Sequence, residues 1–331
     1  MHIALEGHDQ PIPVEAGDTI LESLLRAGVA FPFSCQAGNC GTCKCELVSG
    51  DVFELEYSEH ALAPEERARN MILACRTQVW DDTAIRRLDA EELVVHPSRV
   101  MRCRVLELED LTHDIKGVRL AIEAGGPFAF SAGQYAQVEF APGLSRHYSM
   151  ASAPEEPELV FHVRHMPGGR TSAYVAQQLR VGDRAKVTGP LGVAYLRDKH
   201  AGPVLLVAGG SGLAPMQSIL CTLLERGHGA PVTLYVGARS ERDLYHEGLL
   251  KDLAAKHANF RYHVVLSEQK GARGRRYGLV HEAAAADMPD AEGTRAYLAG
   301  PPVMVEAASA MLQAHGLALR QIHADAFYNQ S

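Results

Sequence analysis

Four cysteines constrain the fold of this chain more than any other feature of its sequence. Cys35, Cys40 and Cys43 form a C-x4-C-x2-C pattern, and 31 residues separate Cys43 from Cys75. This spacing is typical of plant-type 2Fe–2S clusters, in which four thiolates bind two irons. The pattern therefore predicts that one loop wraps such a cluster with three thiolates and that Cys75 supplies the fourth from elsewhere in the fold.

Glycines and further cysteines surround this motif. Gly38 and Gly41 are predicted to let the loop turn tightly, so that backbone N–H groups point at the sulfurs. A zinc site or buried free thiols are the alternatives, although zinc sites usually pair two short C-x2–4-C hooks. Cys45 is predicted to be a core residue of the next strand, and Cys103 and Cys221 are predicted to be ordinary buried cysteines.

The 331 residues divide into three segments of different character. Residues 1–92 predict a β-hairpin, a helix over 20–26 capped by Thr19, the cysteine loop, and irregular acidic sequence over 51–70. Short strand-like runs between Gly and Pro fill 99–197 and predict a small antiparallel barrel. In 200–331, strands alternate with helices, of which 215–226 and 303–315 are the clearest, and predict a parallel sheet covered on both faces.

Two stretches of the second segment suggest a phosphate-bearing ligand. Arg146-His147-Tyr148-Ser149 offers a permanent cation for phosphate and a flat surface for a ring. Gly168-Gly169-Arg170-Thr171-Ser172 predicts a glycine turn that opens a helix, where free amides and the helix dipole favour a pyrophosphate. The alternative is a surface arginine and a core tyrosine without any ligand.

Two glycine-rich turns of the third segment follow predicted strands. The first is Gly209-Gly210-Ser211-Gly212-Leu213-Ala214-Pro215, and the second is Ala299-Gly300-Pro301-Pro302. Neither is the G-x-G-x-x-G fingerprint, but ligands of open α/β sheets bind at the carboxyl ends of the strands. Both turns could therefore converge on one ligand, or both could be tight strand-to-helix turns without a cofactor.

Charge is distributed unevenly along the chain. Residues 1–92 carry 7 basic and 17 acidic side chains, a net charge of −10, whereas the remainder carries +2. The acidic excess favours either solubility or a docking face for a basic partner, and it argues against nucleic acid. No apolar run approaches the roughly 18 residues of a membrane span, and no signal peptide is visible. We therefore expect a cytoplasmic protein with reduced cysteines.

The order of the three segments resembles one known family over essentially the full chain. It is similar to the ferredoxin–NADP reductase superfamily fused to an N-terminal plant-type ferredoxin, and more closely to the reductase components of bacterial Rieske-type aromatic-ring hydroxylating dioxygenases, such as naphthalene dioxygenase reductase. Shorter matching stretches lie at 112–115, 133–135, 189–197, 243–245 and 323–328. The resemblance implies a multidomain fold: a β-grasp ferredoxin domain (1–92), an antiparallel β-barrel FAD domain (99–197) and an α/β NAD(P) domain with a parallel sheet (200–331).

The resemblance also implies residue roles. Arg146, Tyr148 and Ser149 would bind FAD, with Ser149 near the hydride-accepting nitrogen, and Gly169, Arg170, Thr171 and Ser172 would meet its pyrophosphate. Gly210, Ser211, Gly300 and Pro301 would line the nicotinamide and phosphate site, and Phe327 would lie against the isoalloxazine ring until nicotinamide displaces it. Many superfamily members carry cysteine where this chain has Ala299, which implies slower or differently oriented hydride transfer rather than its loss.

The implied function is electron transfer from NAD(P)H to FAD, to the 2Fe–2S cluster, and on to a Rieske ferredoxin or Rieske oxygenase. The acidic segment, including Glu54, Glu56 and Glu59, would be the exit face, and we expect a monomer. We favour NADH, with NADPH possible because Arg239 follows the second strand of the third segment. The alternatives are a reductase for a diiron monooxygenase or a deoxysugar dehydrase, or an iron–sulfur flavoprotein carrier subunit.

Overall fold

A computed structural model describes the chain except residues 30, 34, 35, 39, 40, 60, 89–93, 95, 273, 289, 290 and 329–331. The chain forms two units, Met1–Val95 and His96–Ser331. The three segment boundaries drawn from the sequence stay predictions. Within the described residues, we find no helix that is both long enough and apolar enough to cross a membrane.

The first unit is built on a five-stranded sheet with the order β2-β1-β7-β3-β5 and a separate two-stranded sheet, β4-β6. Thr19 and Glu22 form a capping box, in which the Glu22 N–H donates to Thr19 Oγ1 over 3.3 Å, and this confirms the predicted helix start. The elements are β1 (His2–Leu5), β2 (Ile12–Pro13), α1 (Ile20–Arg26), β3 (Lys44–Ser49), β4 (Val52–Glu54), α2 (Pro64–Arg67), β5 (Met71–Leu73), β6 (Thr77–Val79) and β7 (Thr83–Arg87).

The second unit begins with six antiparallel strands in the order β11-β10-β13-β8-β9-β12. An isolated bridge between Met150 and Phe161 joins the two edges, and the enclosed core is apolar, as predicted for a small barrel. The elements are β8 (Arg99–Asp110), β9 (Ile115–Ala124), β10 (Tyr135–Ala141), β11 (Leu144–Ser149), β12 (Glu158–Arg164), α3 (Arg170–Gln177) and β13 (Arg184–Leu191).

A six-stranded parallel sheet with the order β17-β16-β15-β14-β18-β19 completes the second unit. Separate apolar clusters cover its two faces, one under α4 and α5 and the other under α6 and α7, which confirms the predicted two-sided packing. The elements are β14 (Val204–Gly209), α4 (Leu213–Glu225), β15 (Val232–Ala238), α5 (Glu247–Lys256), β16 (Phe260–Leu266), β17 (Arg276–Tyr277), α6 (Val280–Asp287), β18 (Arg295–Gly300), α7 (Pro302–Ala314) and β19 (Ile322–Ala326).

Two segments differ in secondary structure from the sequence-based expectations. Residues 51–70 were expected to be irregular, yet they contain β4 and α2, which begins with Pro64 at its first position. The helix α5 was not predicted, because His246 before it has a φ of +57° and no side-chain cap marks the start.

Candidate functional site

Two of the four predicted cluster ligands lie together in the core of the first unit. Cys43 directly precedes β3 and is 3% exposed, and Cys75 lies in the 3-10 turn after β5 and is 5% exposed. The backbone N–H of Cys75 donates a hydrogen bond to Cys43 Sγ over 3.5 Å. Buried sulfurs that accept amide hydrogen bonds fit an iron–sulfur centre. The other two predicted ligands, Cys35 and Cys40, lie outside the described residues.

The glycines of the cysteine loop are required by both conformation and space. Gly38 and Gly41 have φ values of +74° and +70°, which confirms the predicted tight turns. A Cβ at Gly38 would lie 2.7 Å from Tyr57 Cβ, and one at Gly41 would lie 2.8 Å from the carbonyl oxygen of Ala61. Any larger residue would therefore displace the loop that carries the predicted ligands.

The remaining cysteines divide by burial. Cys45 is fully buried, as predicted, and burial raises the pKa of its thiol. Cys103 is also fully buried, and burial again raises its pKa, to about 12. Cys221 was expected to be buried, but it is only half-buried on α4.

The strand β11 presents the predicted flavin-binding residues in sequence. Arg146 is exposed, Tyr148 is half-buried against Phe140 with ring centroids 5.9 Å apart, and Ser149 is buried. In the register with β10, Ser149 pairs with Tyr135. An exposed cation, a partly buried ring and a buried hydroxyl suit a phosphate, a flat ring and a polar ring edge, and so fit a flavin nucleotide.

A glycine turn opens α3 beside this strand, as predicted. Gly168 has a φ of +74°, and Gly169 is the N-cap residue. Ser172 Oγ accepts the Met166 N–H over 3.1 Å and donates to the Gly169 carbonyl oxygen over 3.2 Å. Arg170 is exposed, whereas Thr171 and Ser172 are buried. The turn thus leaves the first helical amides and one arginine to face an anion.

The two glycine-rich turns of the parallel sheet meet at its topological switch point, where β14 neighbours β18. A Cβ at Gly212 would collide with the carbonyl group of Ala299, and one at Gly300, which has a φ of +140°, would lie 2.7 Å from the Gly209 carbonyl oxygen. Gly210 and Ser211 are half-buried in the first turn, and Pro301 is exposed before α7. The two turns therefore meet at the edge where ligands of open α/β sheets bind, and their convergence on one ligand stays a prediction.

Two residues from outside the turns reach Gly210, and sequence reasoning gave neither of them a role. Arg164 of β12 places Nη1 3.1 Å from where a Cβ of Gly210 would lie. The Asp114 carboxylate orients this guanidinium by accepting from Nε and Nη2, each over 2.9 Å. Tyr245 donates to the Gly210 carbonyl oxygen over 3.3 Å. The barrel therefore contributes an oriented cation to the mouth of the glycine-rich turn.

The last strand connects the parallel sheet to the barrel. Ser149 Oγ donates a hydrogen bond over 2.9 Å to the Asp325 carboxylate on β19. Burial raises the pKa of Asp325 to about 6, although the Ser149 hydrogen bond opposes the rise. The Phe327 N–H donates to the Gly300 carbonyl oxygen over 2.9 Å, and its half-buried ring packs against the core under α4. Asp325 was also without a role in the sequence analysis.

Arg239 lies at the carboxyl end of β15, one strand away from the glycine-rich turn, and it is already paired. Its Nη2 lies 2.6 Å from Asp243 Oδ1 and 3.6 Å from Asp114 Oδ2. Burial opposes ionisation of Asp243, but hydrogen bonds from Arg239 and Ser240 prevail and lower its pKa below the usual value. The guanidinium charge of Arg239 is therefore balanced within the protein.

Three family profiles match successive parts of the sequence. A 2Fe-2S iron-sulfur cluster binding domain matches residues 3–79, an oxidoreductase FAD-binding domain matches 102–195, and an oxidoreductase NAD-binding domain matches 206–310. These profiles cover the cysteine loop, the barrel and the converging turns. The cofactors of the chain are thus a 2Fe–2S cluster, FAD and a nicotinamide nucleotide.

Full-length relatives share this arrangement. The chain is 41% identical over 330 residues to the reductase component (ferredoxin–NAD(P)+) of the naphthalene 1,2-dioxygenase system of Pseudomonas putida, covering 99% of both chains. It is 38% identical to the reductase component of phenol 2-monooxygenase from Pseudomonas sp. (strain CF600), covering 99% of this chain and 94% of that one. The crystal structure of the Amycolatopsis cytochrome P450 reductase GcoB superposes with a TM-score of 0.76 at 37% identity and 98% coverage of both chains. The chain therefore belongs to the family of iron–sulfur flavoprotein reductases of oxygenase systems.

Proposed function

We propose that this reductase transfers electrons from NADH through FAD and the 2Fe–2S cluster to a Rieske ferredoxin or Rieske oxygenase of an aromatic-ring hydroxylating system. The observation that carries the proposal is the junction between the barrel and the parallel sheet. There, Ser149 contacts Asp325, and Phe327 contacts Gly300 within the same short stretch of chain. Residues predicted to bind the flavin and the nicotinamide are thus adjacent, as hydride transfer between the two cofactors requires.

The barrel residues would bind and orient FAD, which supplies the hydride acceptor when it is bound. Arg146 and the first turn of α3 would neutralise the phosphates. Tyr148 would cover one ring face. The Ser149 hydroxyl, which Asp325 orients, would place a polar group at the ring edge. Phe327 would occupy the nicotinamide position until the substrate displaces it.

The parallel sheet would bind the nicotinamide nucleotide along its carboxyl edge. Gly210 and Ser211 would let the phosphates approach the backbone closely, with Arg164 as an oriented cation beside them. Gly300 and Pro301 would border the nicotinamide. Ala299 of β18 is fully buried, so its methyl group is not accessible to solvent. The absence of a thiol at this position fits slower or reoriented hydride transfer.

Anaerobic titration with NADH tests the order of these steps. We expect the visible bands of both the flavin and the cluster to bleach, because bound FAD would supply the link between a two-electron donor and a one-electron 2Fe–2S centre. Bleaching of the flavin without the cluster would overturn the proposed order. A carrier subunit, the competing reading of the sequence, would leave both bands unchanged and would not reduce ferricyanide with NADH.

The relatives favour an oxygenase as the final acceptor but differ in its kind. Their names include a dioxygenase system, a phenol monooxygenase and a cytochrome P450. We assign the Rieske acceptor because the naphthalene system relative is 41% identical. NADH-dependent reduction of a Rieske ferredoxin, a Rieske oxygenase and a diiron monooxygenase, measured under matched conditions, tests this choice. Fast reduction of the diiron enzyme alone would discard it.

We place the exit face on the acidic first unit, and we expect the reductase to act as a monomer. Glu56 and Glu59 are exposed and available to a basic partner. The Glu54 carboxylate already forms an ion pair within the unit, because Arg67 Nη2 lies 2.9 Å from it. The backbone oxygen of Glu56 accepts a hydrogen bond from Arg76, the neighbour of Cys75, over 2.8 Å. Glu56 therefore lies close to Cys75, a predicted cluster ligand.

The paired state of Arg239 supports NADH as the preferred donor. A free arginine after the second strand accommodates the 2′-phosphate of NADPH, but Arg239 is already paired with Asp243, whose Oδ1 lies 2.6 Å from Arg239 Nη2. A 2′-phosphate would approach this ion pair without net attraction, whereas the 2′-hydroxyl of NADH carries no charge to repel.

We expect Asp243→Asn to free Arg239 and to raise kcat/KM for NADPH by about 10-fold, with that for NADH nearly unchanged. The asparagine oxygen can still accept the Ser240 N–H, which Asp243 accepts over 3.0 Å. Steady-state kinetics with both nucleotides measure the change. Adding Arg239→Ala to the variant should remove the gain. An unchanged NADPH/NADH ratio would contradict this account.

A further inference from the structure

Two aromatic side chains stand in solvent on the two-stranded sheet of the first unit. Trp80, which follows β6, is 68% exposed, and Phe53 of β4 is 48% exposed. Their ring centroids lie 6.2 Å apart in an edge-to-face arrangement, with an interplanar angle of 69°. Neither ring belongs to the core of the unit. Their packing therefore adds little to the stability of the fold.

Exposed apolar residues are common singly, but a contiguous aromatic pair is a different feature. Tryptophan is among the side chains most enriched at the energetic centres of protein interfaces. Trp80 is also the only tryptophan of the chain. An exposed tryptophan beside a second aromatic ring is typical of a docking surface that has no partner bound.

The surroundings of this pair are acidic. The backbone N–H of Trp80 donates to the carbonyl oxygen of Asp51 over 2.9 Å, and the backbone N–H of Asp51 donates to the Asp81 carboxylate over 2.8 Å. Asp82 follows directly, and all three aspartates are exposed. Backbone hydrogen bonds therefore fix negative charge at the edge of the aromatic pair, within a segment whose net charge is −10.

The strand β6, which Trp80 follows, begins close to a predicted cluster ligand. β6 begins two residues after Cys75, and Thr77 at its start pairs with Glu54. An aromatic centre with an acidic rim complements a basic surface that has an apolar centre. We propose that Phe53, Trp80 and the aspartates 51, 81 and 82 form the docking surface for a basic electron-accepting protein, an inference that rests on the proposed electron exit through the first unit.

Cytochrome c, a basic haem protein, serves as the probe. In the full-length holoenzyme, Trp80→Ser should raise the KM for cytochrome c by about 10-fold, because truncation of a central interface aromatic is costly. Ferricyanide reduction and the anaerobic bleaching of the cluster by NADH should not change. Val181→Ser is the matched control, since Val181 is 63% exposed in the second unit and should leave all rates unchanged.

A second measurement reads the surface directly. With 5-fluorotryptophan incorporated, the chain gives a single 19F resonance, which should shift when cytochrome c is added and return when salt screens the acidic rim. An unshifted resonance, or equal cytochrome c kinetics in wild type and Trp80→Ser, would overturn the docking surface. Slower cluster bleaching in Trp80→Ser would also overturn it, by placing Trp80 in transfer within the chain. Failure of NADH to bleach the wild-type cluster would instead reject the proposed function.

Discussion

Replacement of Cys75 by alanine is expected to lower NADH-dependent reduction of an external protein acceptor by more than about 100-fold, because a plant-type cluster needs all four thiolates. Cys75 is buried, and its backbone N–H donates a hydrogen bond to the sulfur of Cys43, another predicted ligand. Reduction of ferricyanide by NADH should continue, since the flavin and nicotinamide regions lie in the second unit.

Iron content and visible absorption measure the same change without any turnover. Cys75→Ala should contain little iron and lose the cluster bands while it keeps the flavin bands. Cys45→Ala is the matched control, because Cys45 is also buried and lies one position into the adjacent strand. It should be less stable but should contain iron in full. Normal iron content in Cys75→Ala would exclude this residue from the ligand set.

The second large effect concerns the buried carboxyl of Asp325. The rise of its pKa from 3.8 to about 6 means that the folded chain binds the proton more tightly than the unfolded chain. Ionisation of Asp325 therefore lowers the free energy of unfolding. The contribution of Asp325 to stability is greatest below the unfolded pKa and falls as pH rises through the folded pKa. This rise corresponds to roughly 3 kcal/mol above pH 7.

We accordingly expect Asp325→Asn to raise the free energy of unfolding at pH 7.5 by up to about 3 kcal/mol, since asparagine stays neutral. At pH 5 the gain should fall to about half, because the wild-type carboxyl is then mostly protonated in the folded state. Urea unfolding at both pH values measures the difference. Ser149→Ala keeps the carboxyl, so it should keep the pH dependence. A gain of equal size at both pH values would refute the assignment.

The local parts of the site were predictable because short sequence patterns encode them. The cysteine spacing and the glycine turns at Gly38 and Gly168 are local patterns, because the positive φ of both glycines is a property of the backbone at that residue. A left-handed φ at these two residues favours glycine over any other residue. The sequence alone therefore located the cysteine loop and the loops of the second unit.

Contacts between distant elements were not predictable in the same way. Arg164 contacts Asp114 across 50 residues, and whether such residues meet depends on how the strands pair and pack. Asp325 lies in a stretch that the family resemblance singled out, yet nothing in its sequence marks a buried carboxyl. The start of α5 lacks a capping side chain, so a local signal was absent there as well.

The hydrogen bond between Ser149 and Asp325 joins residues that are 176 positions apart. Closing so long a loop is entropically unfavourable, and contacts of this kind slow folding. A growing chain completes the barrel well before β19 exists to dock on β18. A polypeptide interrupted before β19 would contain every glycine-rich turn and yet lack both the buried carboxyl and Phe327. The junction between Ser149 and Asp325 is therefore assembled from two distant segments of the chain, and a polypeptide that stops before β19 would be poorly equipped to consume reduced nucleotide.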